Sequence, residues 1–147
     1  MRIVCDTNVL VYGILLLGQP RRILTMASRG EITIATSPDL LREAEDVLLR
    51  PKFGLRAEQV VGIIALFRDT FEIVQTTRRV RAVAADPSDN IVLEAAAAAR
   101  ADLIVSGDKH LLDLAAWEGI RILSPAEFVR ESGGTRGARQ PFPADRT

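Results

Sequence analysis

Residues 1–13 read MRIVCDTNVLVYG, and their interpretation decides the fold. Ile3, Val4 and Cys5 form a short run of β-branched and apolar side chains, the pattern of a buried strand. Asp6, Thr7 and Asn8 then separate that run from the apolar stretch that follows, so a carboxylate stands where the strand ends. A charged group at the end of a buried strand needs a partner or a task.

Strand-like segments recur at 32–35, 71–74, 103–105 and 120–123, with helical periodicity between most of them. This alternation predicts an α/β fold: a central parallel sheet of about five strands, covered by helices on both faces. A helix is expected over 38–50, with Ser37 as N-cap, Pro38 in its first turn and Pro51 as its stop. A second fits 56–69. A third opens on Asp86-Pro87-Ser88-Asp89 and continues through the alanine run at 95–99. Gly107-Asp108 marks a turn after the fourth strand. From Ser132 the sequence SGGTRGARQPFPADRT is rich in Gly, Pro and Arg, which predicts a disordered tail over 132–147 and a single domain over 1–131.

The composition supports one sizeable core: 147 residues, 48% of them hydrophobic. The apolar stretch from Val9 to Leu17 is shorter than the roughly 20 residues a membrane span needs, and no basic segment with a small-residue cleavage site precedes it, so no signal peptide is expected. A cytoplasmic protein without membrane association is expected. Cys5, the single cysteine, can form no internal disulfide and reads as a buried, inert thiol. The formal net charge is zero, so any footprint for a polyanion must be local. Of 19 basic residues, all but Lys52 and Lys109 are arginine, the side chain suited to bidentate phosphate contacts.

In doubly wound sheets, ligands bind at the carboxyl ends of the strands, where strand order reverses. Asp6 and Asp108 follow the first and fourth strands, and Asp89 lies in the first turn of the helix leading into the fourth. Each has an ordinary explanation as a helix cap, a capping-box member or a turn residue. Together they are less comfortable, because three carboxylates at one edge repel one another unless a cation intervenes. On the 38–50 helix, Leu40, Leu41, Ala44, Val47 and Leu48 form the apolar stripe and Arg42 and Asp46 face water. Glu43 and Glu45 occupy opposite flanks of that stripe, and periodicity does not choose between them.

Asp6-Thr7-Asn8-Val9, then SPDLLREAEDVLLRPKF, then DPSDN, then VSGDKHLLDL, in this order and without large insertion up to about Phe128, resemble the PIN domain family. The closest likeness is to its bacterial toxin components of toxin–antitoxin systems. The resemblance implies a three-layer α/β/α domain and a VapC-like, Mg²⁺- or Mn²⁺-dependent ribonuclease. Its four acids match Asp6, Glu43 rather than Glu45, Asp89 and Asp108. Asp86 also fits the pattern and serves either the metal or only the cap. Ser106 stands where the family more often has threonine, and keeps the hydroxyl.

Such chemistry needs hard oxygen ligands, and one cysteine with one histidine cannot build the usual zinc site. Asp6 and Asp89 are expected to touch the ion, with Glu43 and Asp108 supporting them, binding a second ion or orienting the attacking water. Asn8 and Ser106 would orient carboxylates or serve only local turn chemistry. Lys109, Arg50 and Lys52 are candidate RNA-binding residues, His110 a weaker one, and Arg78-Arg79-Val80-Arg81 a second basic patch. The resemblance further implies a cognate antitoxin that occupies the cleft, and a homodimer, for which Val60, Ile63, Ile64 and Phe67 are candidate contacts. A phosphatase of the haloacid dehalogenase type would carry a second Asp where this chain has Asn8. A catalytically silent RNA- or protein-binding module remains the alternative, its usual sign being loss of an acid, and all four acids are present.

Overall fold

The computed structural model describes residues 1–83 and 86–136. At its centre β1 (Arg2–Cys5) runs parallel to β2 (Thr33–Thr36) on one side and to β4 (Leu103–Val105) on the other, with Ile3 opposite both Ile34 and Leu103. The parallel strand β3 (Glu72–Ile73) lies beyond β2, and β6 (Ile120–Leu123) beyond β4. These are the five parallel strands the sequence pattern predicts. A sixth, β5 (Ala116–Trp117), pairs antiparallel with β6 and gives the order β3-β2-β1-β4-β6-β5. The sequence pattern did not reveal it. Two residues are too short for periodicity, and the Glu118-Gly119 turn, with φ of 49° and 84°, lacks the usual Asn-Gly or Asp-Gly signal of a two-residue hairpin.

Among the described residues seven α-helices accompany the strands: α1 (Thr7–Leu15), α2 (Gln19–Ser28), α3 (Pro38–Leu48), α4 (Ala57–Thr70), α5 (Pro87–Ala99), α6 (Lys109–Leu114) and α7 (Pro125–Arg136). Strand alternation divides the core between two faces. Ile3, Cys5, Ile34, Leu103 and Val105 point to one side, against Leu10, Ile23, Phe67 and Phe128 of α1, α2, α4 and α7. Val4, Ala35 and Ile104 point to the other, against Val92, Leu93, Ala95, Ala96 and Ala99 of α5. The alanine run lets α5 lie close on the sheet. A smaller cluster of Val11, Ala44, Val47, Leu48 and Val60 joins α1, α3 and α4.

Two expectations change here. Val60 and Phe67, candidate dimer contacts, are each 1% exposed inside these clusters, and Ile63 and Ile64 pack partly against them. The wheel that marks an interface stripe marks equally well the stripe a helix buries in its own domain. The last helix continues to Arg136, five residues past the expected domain end, and 137–147 lie outside the described residues. No helix among the described residues is long and apolar enough to cross a membrane.

Candidate metal centre

The chain builds β2 and β3 on one side of β1 and then crosses to β4 on the other, so strand order reverses between β1 and β4. Asp6 leaves the carboxyl end of β1 and Ser106-Gly107-Asp108 leave that of β4. The Asp6 amide still donates to the Val105 carbonyl at 3.1 Å, which fixes both exits in register. A cleft of about 170 Å³ opens there, lined by Asp6, Thr7, Asn8, Glu43, Arg50, Asp86, Asp89 and Asp108 among others. The four acids expected from the sequence, and Asp86, therefore share one cleft.

Three of the aspartates are indeed helix caps. Asp6 Oδ1 accepts from the Val9 amide at 2.9 Å, Asp86 Oδ1 from Ser88 at 3.0 Å, and Asp108 Oδ1 from His110 and Leu111 at 2.8 and 3.3 Å. Capping and site-building are not alternatives here, because the carboxylates that cap also line the cleft. Asp6 is held at its second oxygen too, where Oδ2 accepts from Ser106 Oγ at 2.5 Å and from the Gly107 amide at 3.2 Å. Ser106 Oγ in turn accepts from the Asp108 amide at 2.9 Å, so this buried hydroxyl ties the two strand exits together.

Asp89 differs. It is 5% exposed, it caps nothing, and its Oδ2 is buried without a hydrogen-bond donor. Carboxylate oxygens of Asp86, Asp89 and Asp108 lie within 4.8 Å of one another. Burial, the adjacent Asp108 carboxyl and the negative charges of Asp86 and Asp6 push the Asp89 carboxyl up to about 7. Burial also raises the Asp6 carboxyl, opposed by its bonds from Ser106, Val9 and Gly107. A proton can relieve this crowding, and so can a divalent cation. All the donors are hard oxygens and one is unpartnered and buried, which fits Mg²⁺ or Mn²⁺.

Glu43 and Glu45 separate here. Glu43, on the α3 flank facing α1, lines the acid cleft and accepts from Thr7 Oγ1. Glu45 lines a small hollow on the other flank with Arg42 and Arg68. Asn8 lines the cleft and is exposed. Of the expected RNA contacts, Arg50 lines the cleft and Lys52 and Lys109 do not: Lys52 sits 5.1 Å from the Phe53 ring centroid, and Lys109 bonds Asp113 at 3.1 Å. His110 is exposed and gives only its amide to the Asp108 cap.

Sequence reasoning passed over Thr7, which positions Glu43, and Asn90 and Glu94 on α5. Asn90 exchanges two hydrogen bonds of 2.9 Å with the Val83 backbone, and Glu94 Oε2 accepts from the Val80 amide at 2.9 Å. Two polar residues four apart on the buried side of an alanine-rich helix were the available signal.

The fold and the edge it places at β1 and β4 define an α/β domain with a carboxylate cleft at its switch point. A profile of the PIN domain family matches residues 2–110, and the chain belongs to that family. Its fold is similar to that in the crystal structure of VapBC2 from Rickettsia felis bound to a DNA fragment from their promoter. There the TM-score is 0.62 at 17% sequence identity, over 84% of this chain and 98% of that one. No curated protein matches it in sequence.

Proposed function

We propose that this chain is a divalent-metal-dependent endoribonuclease and the toxin of a toxin–antitoxin pair. The observation that carries the reading is a cluster of carboxylate oxygens from Asp86, Asp89 and Asp108 within 4.8 Å of one another, in which Asp89 also keeps a buried, unpartnered Oδ2. Membership of the PIN domain family and a fold like that of VapBC2 support it.

Asp86, Asp89 and Asp108 would hold Mg²⁺ or Mn²⁺, with Asp6 and Glu43 completing the acidic wall. Asp86 therefore moves from a supporting to a ligating role. Asp6, with three donors on its two oxygens, is more occupied than the expected pairing of Asp6 with Asp89 allowed. Bound there, the ion would acidify water and neutralise charge developing on the phosphate. Glu43, fixed by Thr7, is placed to orient water or take its proton. Ser106 keeps Asp6 and Asp108 aligned, Asn8 offers an amide at the rim, and Arg50 supplies a positive charge beside the acids for RNA phosphate.

The antitoxin would neutralise the same acidic cleft. A homodimer on α4 would have to use Val61 and Leu66, 62% and 49% exposed, in place of the buried stripe. Acting on cellular RNA, the protein would work in the cytoplasm.

The test is cleavage of a labelled structured RNA by purified protein with Mn²⁺, with EDTA, and with Asp89→Asn. Metal-dependent cleavage that falls at least about 100-fold in the variant supports the reading. Mn²⁺ titration calorimetry separates the alternative: intact RNA and no heat of Mn²⁺ binding would make the acids structural and the chain a binding module.

A further inference from the structure

We infer that residues 78–83, which precede α5, form a phosphate-binding arm, with Arg79 and Arg81 as its contacts to single-stranded RNA flanking the scissile bond. This deepens the ribonuclease reading above and rests on it.

The arm is built. Val80 and Val83, 8% and 6% exposed, pack into the core against α5 and β4. Their amides are taken by Glu94 and Asn90, both buried on α5. Arg78 is spent on a clamp: its guanidinium makes two bonds of 2.9 Å to Glu118 and lies 5.4 Å from the Trp117 ring centroid, tying the segment to the β5–β6 turn. With 78, 80 and 83 anchored, Arg79 and Arg81 are left exposed on the outside.

Both line a groove of about 660 Å³ with Asp39, Ser88 and Glu94. Its two acids are already committed, Asp39 to Arg42 at 2.7 Å and Glu94 to the Val80 amide, whereas neither arginine has an ion-pair partner among the described residues. Ser88 lines this groove and the acid cleft alike, so the two adjoin at that residue. Arg50 lines the acid cleft itself and has no ion-pair partner among the described residues. A polyanion crossing the acids would thus meet a free arginine within the cleft and two more along the arm, and that charge order fits a nucleic-acid backbone.

The test uses the full chain and the double variant Arg79→Gln/Arg81→Gln, with folding checked by its thermal midpoint. For cleavage of a labelled single-stranded RNA in Mn²⁺, KM is expected to rise on the order of tenfold with kcat within about twofold. The slope of log KM against log salt should fall by about 1.4, the value for two single-strand phosphate contacts. Arg78→Gln should lower the thermal midpoint instead. Unchanged KM and salt slope in a cleaving double variant overturn the arm while leaving the nuclease intact. If the wild type does not cleave, anisotropy of the same RNA in EDTA decides. Loss of binding in the double variant keeps the arm although the nuclease reading fails, and equal or absent binding removes it. A loss confined to capture of a polyglutamate peptide overturns RNA in favour of an acidic protein segment.

Discussion

Glu43 depends on a single hydroxyl for its placement. It is half-buried on α3, and Thr7 Oγ1, buried at the start of α1, donates to it across the cleft. Replacing Thr7 by valine keeps the β-branched shape and deletes the donor. Groups that orient active carboxylates contribute about 10–100-fold, so Thr7→Val is expected to lower kcat by that factor with little change in thermal midpoint, and Thr7→Ser to keep activity. Full activity in Thr7→Val would show that Glu43 needs no such support. The Glu43 carboxylate was legible in the sequence only through family resemblance. Its distinction from Glu45 is a matter of which helix packs on which flank, and that is absent from a wheel.

At the scale of elements, the pairing of α1 with α2 rests on a glycine. A Cβ on Gly13 would come within 2.7 Å of Leu24 Cδ1, 2.8 Å of Leu24 Cγ and 3.0 Å of the Pro20 carbonyl oxygen. The same seam carries Arg21, whose Nε and Nη2 donate to the Gly13 and Ile14 carbonyls at 2.8 and 3.1 Å and so satisfy the frayed end of α1. Alanine would normally favour a helix, but the overlap here involves the branch point of Leu24 and backbone, which cannot simply swing away. Gly13→Ala is expected to cost about 1–3 kcal/mol, seen as a lower urea midpoint at unchanged slope. An unchanged or higher midpoint would show that the seam has slack.

For the molecule as a whole, the crowded acids set a dependence of stability on pH. Asp89 titrates at about 7 in the folded protein against 3.8 ordinarily, so between those values the folded state binds more protons than the unfolded one. Stability contributed by this group is therefore present at low pH and lost as pH rises through about 7. Asp6, raised in the same direction, adds to the trend. In EDTA, the thermal midpoint should fall between pH 5 and 8. Mn²⁺ should restore it most at the alkaline end, because it binds the ionised carboxylates of the folded state. Asp89→Asn should flatten the apo profile. A wild-type midpoint in EDTA that rises over this range would contradict the crowding.

The sequence by itself determined the α/β class, the five parallel strands, the capped starts of α3 and α5, and the buried stripe of α3. Each of these follows from local periodicity or from a proline and cap at a helix start, signals a chain carries without knowing its neighbours. It also singled out Asp6, Asp89 and Asp108 by their positions at strand and helix ends. Only the tertiary structure decided that Asp86 joins Asp89 and Asp108, that Glu43 faces them, that Arg78 is tied down while Arg79 and Arg81 are exposed, and that Val60 and Phe67 are core. Those outcomes depend on contacts between residues far apart in the chain, where a side chain's role is set by what packs against it and not by its own spacing.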